Sequence, residues 1–412
     1  GMATLQAARV PAHQAQNYQE IWEDPQLRHR GHFVELPHGE MGTSWVEASR
    51  FRFSRTPAGP VTGAPALGEH SWQVLTEILG YDDDRAGELA AGDNWFVNWA
   101  DVPSVMRLAD GTLAAHWLQK SGPGTYAYDV RLAYSLDGGA TWSPSFLPHS
   151  DGTKTEHGFA SLYDMPGGGL GLVWLDGRKT AGAAASDHGH TAAEMSLVHT
   201  TVGGDGRLGP ETVLDGRVCD CCQTDAARAA DAVVVVYRDR SEKEVRDMSV
   251  VRFSGGRWSA PRTLAADGWE INGCPVNGPS VAAEGSTVAV AWFTAAGDKP
   301  VVKLAFSGDS GATFGAPIVV DDARPLGRVD VVMAEGGTAL VSWLAQGEGG
   351  AATLRVRRFA RDGVRGDPVT VAVSTGARSS GFPRMARSGD RVVIAWRDAA
   401  DPPRVRTAVL ER

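Results

Sequence analysis

The four cysteines of the 412-residue chain are the residues whose clustering points most directly to chemistry. Three of them lie in the run Cys219-Asp220-Cys221-Cys222, and the fourth is Cys274. Thiolates bind Zn²⁺ or Cu⁺, and thiols in an oxidising compartment form disulfides. Three interpretations are therefore open: disulfides, which we favour; a thiolate metal site that uses all four residues; and free buried thiols.

The elements that must position these residues are six similar units that follow residue 92. Each unit contains a short β-rich run that ends near an aromatic residue, and the runs recur about every fifty to sixty residues. The aromatic positions are Trp117, Trp174, Tyr237, Trp292, Trp343 and Trp396. This repeat predicts an all-β fold, a six-bladed β-propeller over residues 93–412. Because the last unit has room for only three strands, we expect residues 93–99 or the N-terminal region to complete the ring.

Residues 1–92 have a different character. Apolar residues follow a helical spacing in the segments 17–30 and 71–79, and residues 82–91 have the turn signals of another short helix. We therefore divide the chain at residue 92 into a small α+β segment and the propeller.

Composition narrows the function classes. The formal net charge of −9 gives no basic footprint for nucleic acid. No apolar stretch is long enough to span a membrane, and no signal segment opens the chain. A propeller favours a periplasmic or secreted protein, so without a signal segment the sequence leaves the localisation open. The sequence identifies no cofactor. The expected partner is a glycan or another small-molecule ligand.

Two turn motifs have the form S-x-D-x-G-x-T followed by an aromatic residue, at 135–142 and 307–314. In such a turn the Asp carboxylate accepts backbone N–H groups and the Gly adopts a positive φ. The motifs resemble the Asp-box, or BNR repeat, of the sialidase superfamily, and residues 254–258 resemble a degenerate third copy. The resemblance implies a sialidase-like propeller in which Asp137 and Asp309 lie on the outer rim, away from any ligand.

The N-terminal segment carries a second resemblance, over residues 3–92. Strings such as DPQLRHRGHFVELPHGEMG at 24–42 and PALGEHSWQVLTEILGYDDD at 65–84 are similar to the C-terminal segment of family III CoA-transferases. The catalytic aspartate of that family lies upstream of this segment. The resemblance therefore implies a small α+β piece without transferase activity.

In a sialidase-like propeller, the loops that enter each first strand and those that follow each second strand gather on one face. This placement implies a face rich in Arg, carboxylate, amide and Trp side chains, which suits an acidic or sugar ligand. The candidate ligand-binding residues are Arg178, Arg238, Arg240, Arg328, Arg384, Arg397, Trp99, His157 and Asn277. The candidate catalytic carboxylates are Glu156 and Asp176.

The alternative for these arginines is a set of Arg–Asp pairs that hold blades together. By the same placement, the two cysteine loops enter adjacent blades, so we expect Cys274 to lie close to Cys219–Cys222. The long loop at 181–195 adds Asp187, His188 and His190, which could bind a metal or close over a ligand.

Two features of sialidases are missing from the sequence. It contains no Phe/Tyr-Arg-Ile-Pro string, and its last tyrosine is Tyr237, so no late tyrosine can act as the nucleophile. We interpret the chain as a propeller that binds or acts on a glycan or another anionic ligand, with glycoside hydrolysis as the candidate activity. A non-catalytic ligand- or partner-binding propeller, and a metal or redox role at the cysteines, remain as alternatives.

Overall fold

The computed structural model describes residues 2–10, 17–38, 42–48, 94–182, 194–203, 206–347, 349, 351–398 and 404–410. The chain divides into two compact units, Gly1–Asp93 and Asn94–Arg412. The helices expected at 71–79 and 82–91, and the loop residues Asp187, His188 and His190, lie outside the described residues. No helix in the described part of the chain is long and apolar enough to cross a bilayer.

The described residues of the N-terminal unit form three short helices and one hairpin. The helices are α1 (Met2–Ala7), α2 (Tyr18–Glu23) and α3 (Pro25–His29), and the antiparallel strands are β1 (Phe33–His38) and β2 (Gly42–Glu47). The segment expected to be helical over 17–30 is divided at Asp24, which is extended because Pro25 disfavours a helical conformation at the preceding residue. Asn17 caps α2 through a reciprocal pair of hydrogen bonds with Glu20.

The second unit consists of six antiparallel sheets arranged as the blades of a propeller, and this confirms the fold predicted from the repeat. Blade 1 contains β3 (Ser104–Arg107), β4 (Leu113–Lys120) and β5 (Tyr128–Ser135); blade 2 contains β6 (His157–Asp164), β7 (Leu170–Asp176), β8 (Met195–Val202) and β9 (Thr212–Val218); blade 3 contains β10 (Asp225–Arg228), β11 (Val233–Arg238), β12 (Met248–Ser254), β13 (Arg257–Trp258) and β14 (Arg262–Ala265).

In the remaining blades, too, strands that are consecutive in the chain pair with one another. Blade 4 contains β15 (Ser280–Glu284), β16 (Thr287–Thr294), β17 (Val301–Ser307) and β18 (Ile318–Asp321); blade 5 contains β19 (Pro325–Ala334), β20 (Thr338–Gln346), β21 (Ala351–Phe359) and β22 (Val369–Thr375); blade 6 contains β23 (Arg384–Ser388), β24 (Arg391–Asp398) and β25 (Arg404–Leu410). Short 3₁₀ helices occur at Arg178–Thr180, Ala296–Asp298, Glu335–Gly337 and Arg378–Ser380.

The segment before β3 does not complete the last blade. The N–H of Phe96 donates to the carbonyl of Leu118 at 2.9 Å, and the N–H of Lys120 donates to Asn94 at 2.8 Å. Residues 94–96 therefore extend blade 1, and the expectation that this segment closes the ring is wrong. Among the described residues, blade 6 has three strands.

Apolar side chains between neighbouring blades form the core. Five buried clusters are each built from the strands of two consecutive blades, from blades 1 and 2 through to blades 5 and 6. The second strands supply the largest buried side chains, including Trp174, Trp292 and Trp343. Burial of these faces on both sides of each sheet explains why the second strands read as nearly continuous apolar runs.

The recurring aromatic residue also joins neighbouring blades through a hydrogen bond. In blades 3, 4 and 5, the polar atom of this side chain donates to an aspartate at the outer edge of the preceding blade. The three pairs are Tyr237 with Asp215 at 2.6 Å, Trp292 with Asp267 at 2.8 Å and Trp343 with Asp321 at 2.6 Å. The period that identified the repeat in the sequence is therefore the period of an inter-blade contact.

The two Asp-containing turns follow the third strands of blades 1 and 4. In the first turn, Asp137 accepts hydrogen bonds from the N–H of Thr141 at 2.8 Å, the Thr141 hydroxyl at 2.6 Å and the Ser135 hydroxyl at 2.8 Å. Asp309 has the same three contacts with Thr313 and Ser307, at 2.8, 2.6 and 2.7 Å. Both carboxylates thus stabilise their own turns.

Candidate functional site

A cavity of about 670 Å³ lies among loops of the propeller. Both kinds of loop that the sequence analysis placed on one face contribute to it. They include the loops before β6, β10 and β15 and the segment after β7. The described residues that give it chemical character are Trp99, Tyr126, Lys154, Glu156, Asp220, Cys221, Cys274 and Arg378.

Glu156 is the acidic side chain with the most perturbed environment in this cavity. It immediately precedes β6, and the hydroxyl of Tyr128 donates to its Oε1 atom at 2.6 Å. Burial raises the pKa of Glu156 to about 8; the Tyr128 hydrogen bond opposes this shift, and the charges of Asp101 and Asp220 add to it. At neutral pH the Glu156 carboxyl therefore holds its proton.

Asp101 fixes the backbone beside Glu156. Its Oδ2 atom accepts the N–H of Phe159 at 2.8 Å and lies 3.3 Å from the Tyr128 hydroxyl, and burial raises its pKa to about 7. Gly158 permits this approach, because a Cβ atom there would lie 2.2 Å from Oδ2 of Asp101 and 2.7 Å from the ring of Tyr128.

Strained backbone occurs on two sides of the cavity. Phe159 has a φ of 49° and Val276 a φ of 45°, and both residues line the cavity. A positive φ is unfavourable for bulky and β-branched residues, and such strain is concentrated at functional sites. The surrounding blades therefore hold this backbone in a conformation that the local sequence disfavours.

The cavity carries aromatic surface and positive charge. Trp99 and Tyr126 line it, and the guanidinium of Arg378 lies 5.7 Å from the ring of Trp99. Among the described residues, neither Lys154 nor Arg378 has an acidic partner within ion-pair distance. Asp220, in contrast, is paired with Arg246 at 3.1 Å. The cations without acidic partners favour an anionic ligand, and the rings suit the faces of sugars.

The structure brings the four cysteines, all of which are described, to one wall of this cavity. The Sγ atom of Cys219 lies 3.2 Å from that of Cys222 and 3.7 Å from that of Cys221. Ligand atoms of Asp220, Cys221 and Cys274 lie within 4.8 Å of one another. Cys219 and Cys222 are buried, whereas Cys221 and Cys274 line the cavity.

None of these cysteines is bonded to another, so the disulfide that the sequence analysis favoured is not formed in the structure. The Sγ separation of 3.2 Å exceeds the disulfide bond length of about 2.05 Å. Burial opposes ionisation of Cys219, but thiol hydrogen bonds from Cys221 and Cys222 and the nearby guanidinium of Arg246 outweigh it. The pKa of Cys219 is therefore lowered.

The second candidate carboxylate, Asp176, does not line the cavity. It is fully buried and accepts hydrogen bonds from the indole of Trp174 at 2.8 Å and from Arg178 at 2.6 and 2.7 Å. Arg178 also donates to Glu211 at 2.7 Å. Because substrate cannot reach a carboxylate enclosed in this way, Asp176 supports the fold of blade 2 and is not a suitable catalytic group.

His157 belongs to the same buried network. Its Nε2 atom lies 3.0 Å from Asp151 and 3.8 Å from Asp176, and its Nδ1 atom lies 3.4 Å from Asp129. The ring stacks on His149 with 4.0 Å between centroids and 6° between planes. Stacked rings direct their in-plane lone pairs in parallel rather than towards one point, so this pair is poorly arranged to bind a common metal ion.

Arg238 and Arg328 bridge loops of the propeller instead of facing a ligand. Arg238 is 2% exposed and donates to the carbonyls of Arg246 at 2.6 Å and Phe293 at 2.7 Å. Arg328 is 7% exposed, donates to the carbonyls of Gly376 and Gly381, and lies 5.0 Å from the ring of Trp99. Their donors are used within the protein, which corrects the expectation that they bind a ligand.

The other candidate residues also have protein partners. Arg240 donates to Glu244 at 3.0 Å; Arg384 lies 3.7 Å from Asp330 with its side chain 46% exposed; Arg397 donates to the carbonyl of Ser379; and Asn277 accepts the N–H of Arg328 at 2.7 Å. None of these four is among the described residues that line the cavity.

Tyr126, Tyr128 and one cysteine spacing were not predicted from the sequence. A functional tyrosine was expected only in the late blades, whereas these two lie in or next to blade 1. Arg378 lies in a loop of the expected face, but nothing in the sequence distinguishes it from the other loop arginines. Cys219 and Cys222 are separated by two residues, which is the spacing of a Cys-x-x-Cys ligand pair. That spacing is a signal for a metal site that the sequence contained.

The fold and the cavity define the second unit as a six-bladed β-propeller with a polar, aromatic-lined cavity among its loops. Solved structures with a similar fold include a mutant of the NanB sialidase from Streptococcus pneumoniae, at 10% identity, 80% coverage of this chain, 72% of that chain and a TM-score of 0.48. Another is the GH93 α-L-arabinofuranosidase of Fusarium graminearum in complex with arabinobiose, at 13% identity, 78% and 95% coverage and a TM-score of 0.49.

Residues 1–71 match the model of CoA-transferase family III. A similar curated protein is the human succinyl-CoA:glutarate CoA-transferase, which is 31% identical over 85 residues. That match covers 21% of this chain and 19% of the relative, so the chain spans about a fifth of the length of the curated protein. The N-terminal resemblance stated from the sequence is confirmed at this level.

Proposed function

We propose that the propeller binds an acidic glycan in the cavity and cleaves a glycosidic bond there, with Glu156 as the general acid. The observation that carries this proposal is a carboxyl that keeps its proton at neutral pH in a cavity lined by aromatic and cationic side chains. A carboxyl of raised pKa is what a glycosidase uses to protonate the leaving group.

Each group in the cavity has a defined task in this proposal. Glu156 donates its proton to the glycosidic oxygen as the bond to the anomeric carbon breaks. Asp220 is the other acidic side chain among the described lining residues, and it stabilises the positive charge that develops on that carbon. A water molecule then adds to the carbon and returns a proton to the Glu156 carboxylate. Trp99 stacks on a sugar ring, and Lys154 and Arg378 bind the acidic group of the substrate.

The Asp-containing turns support a relation to glycan-directed propellers. We propose that the turns at Asp137 and Asp309 are Asp-box repeats, because both have the same side-chain and backbone hydrogen bonds at the same place in their blades. They identify a type of fold and take no part in catalysis.

The test measures hydrolysis and binding of a panel of acidic and neutral oligosaccharides. We expect cleavage of an acidic member, with kcat/KM falling as the pH rises through about 8, where Glu156 loses its proton. Glu156→Gln should lower kcat by at least about 100-fold without weakening binding. Lys154→Ala and Arg378→Ala should mainly raise KM.

The control is Asp322→Ala, at an exposed position that does not line the cavity, which should leave all constants unchanged. Binding without cleavage by the wild-type protein would overturn the general-acid role and leave a non-catalytic binding propeller. Absence of binding to every oligosaccharide would overturn the proposal as a whole.

A further inference from the structure

The four cysteines form a compact set of sulfur donors that the proposed glycan chemistry does not use. We propose that Cys219, Cys221, Cys222 and Cys274 bind a single thiophilic cation, Zn²⁺ or Cu⁺, at the wall of the cavity. This metal site goes beyond the proposed function: it lies beside Asp220 in the same cavity, but its ligands are the four sulfurs, and neither Glu156 nor Trp99 takes part in it.

The sulfur separations match those of a thiolate site. A tetrahedral Zn²⁺ site with metal–sulfur bonds of about 2.3 Å places neighbouring sulfurs about 3.8 Å apart. The observed separations from Cys219 are 3.2 Å to Cys222 and 3.7 Å to Cys221. All three sulfurs lie within 4.8 Å of one another, so movements of up to about 1 Å would bring them to the spacing of a metal site.

Cys274 supplies the fourth ligand from the loop that precedes blade 4. Its ligand atom belongs to the group, with Asp220 and Cys221, whose members all lie within 4.8 Å of one another. Cys221 is thus common to two triads, and it links the buried pair Cys219 and Cys222 to the exposed Cys274. A metal bound here joins the loops of two adjacent blades.

The surroundings balance the charge of several thiolates. The Nη1 atom of Arg246 lies 3.3 Å from Sγ of Cys219, and Arg246 is itself buried. The backbone N–H of Cys219 donates to the carbonyl of Arg238 at 3.0 Å, which fixes the loop. A buried guanidinium beside clustered sulfurs lowers the energetic cost of their negative charge.

The cavity provides a route for the metal. Cys221 and Cys274 line it, while Cys219 and Cys222 lie behind them. An incoming ion can meet the sulfurs of Cys274 and Cys221 first and then the buried pair. A site that is closed on one side and open on the other is accessible to exchange and to chelators.

The experiment uses the full chain, reduced and freed of metal under anaerobic conditions, and titrates it with Co²⁺ as an optical probe for the Zn²⁺ site. We expect one Co²⁺ per chain, with tetrahedral d–d bands and a sulfur-to-metal charge-transfer band of four-thiolate intensity. Zn²⁺ should displace the Co²⁺. A parallel titration with Cu⁺ against a chromophoric chelator determines which ion binds more tightly.

Two variants separate ligand loss from unfolding. Cys222→Ser should weaken binding by at least tenfold. Cys274→Ser, at an exposed position, should keep one metal per chain but reduce the charge-transfer intensity to that of three thiolates. Circular dichroism and the thermal midpoint of each metal-free variant report whether it is folded, and Zn²⁺ should raise the midpoint of the wild type more than that of Cys222→Ser.

The proposal fails if the reduced wild-type protein binds neither ion at one per chain, or if folded Cys222→Ser binds as tightly as the wild type. It also fails if the protein as isolated contains a Cys219–Cys222 disulfide and still binds no metal after reduction. A wild-type protein that binds the metal but hydrolyses no glycan would contradict the proposed function and leave the metal site standing.

Discussion

Glu156 and His157 are neighbours in the chain, yet they belong to polar clusters of opposite character. Glu156 faces the cavity, where its nearest polar partner is the neutral hydroxyl of Tyr128 at 2.6 Å. His157 lies inside blade 2, within 3.8 Å of the carboxylates of Asp129, Asp151 and Asp176. The alternation of side chains at the start of β6 sends the two residues to different surroundings.

The two clusters differ in whether neighbouring charges outweigh the effect of burial on the pKa. Burial would lower the pKa of His157, but the surrounding carboxylates outweigh it and raise the pKa. Burial raises the pKa of Glu156, and the Tyr128 hydrogen bond and the imidazole of His157 oppose that shift without reversing it. The pKa of His157 is thus raised by carboxylates that pair with its ring, whereas the pKa of Glu156 is raised by burial without such a partner.

The largest effect should follow removal of the paired residue. His157→Ala leaves three carboxylates close together without their shared cation, so we expect the free energy of unfolding to fall by about 3–5 kcal/mol. Urea denaturation at pH 6 measures it. Glu156→Gln is the matched control one residue away, and its loss of stability should be below about 1 kcal/mol. If His157→Ala lowered the free energy of unfolding by less than Glu156→Gln does, the proposed structural role of the His157 cluster would be wrong.

The next prediction concerns the pH dependence of stability. Because the pKa of Glu156 rises from 4.5 to about 8 on folding, the native state binds more protons between these values. The contribution of Glu156 to stability is fully present below about pH 4.5 and is lost as the pH rises to about 8, by up to about 1.4 kcal/mol per pH unit. The titratable groups that act on it are Asp101, Tyr128, Asp220 and His157.

Glu156→Gln removes this contribution and leaves the other groups in place. The stability of the variant relative to the wild type should therefore increase from pH 5.5 to pH 8 in urea denaturation experiments. An equal difference at the two pH values would show that Glu156 titrates normally and would contradict the distinction between the two clusters.

These clusters also mark the limit of prediction from the sequence. The fold was predictable because the aromatic residues on the second strands recur in register, and residues such as Trp292 and Trp343 have the same contact with the preceding blade. Glu156 and Trp99 were predictable as cavity residues because their positions at the mouths of blades follow from the repeat.

Side-chain direction was not predictable in the same way. Arg238 and Arg328 were assigned to loops that suit a ligand, but they lie in β11 and β19, and carbonyl groups distant in the chain accept their hydrogen bonds. Only the packing of one blade on the next decides this. The partnership of Tyr128 with Glu156 likewise joins two blades, and no local pattern in the sequence contains it.

The smallest expected effect concerns a carboxylate of the opposite kind, Asp309 in the turn of blade 4. Hydrogen bonds from Thr313 and Ser307 hold the pKa of Asp309 below its ordinary value, so its contribution is present at neutral pH and is lost as the pH falls through the acidic range, the reverse of Glu156. Asp309→Ala should lower the free energy of unfolding by about 1 kcal/mol at pH 7. The difference should shrink towards pH 3, and metal binding and hydrolysis should be unchanged. Urea denaturation at the two pH values measures it, with Asp322→Ala as the exposed control. An Asp309→Ala variant that lost metal binding or hydrolysis would contradict the purely structural role of this turn.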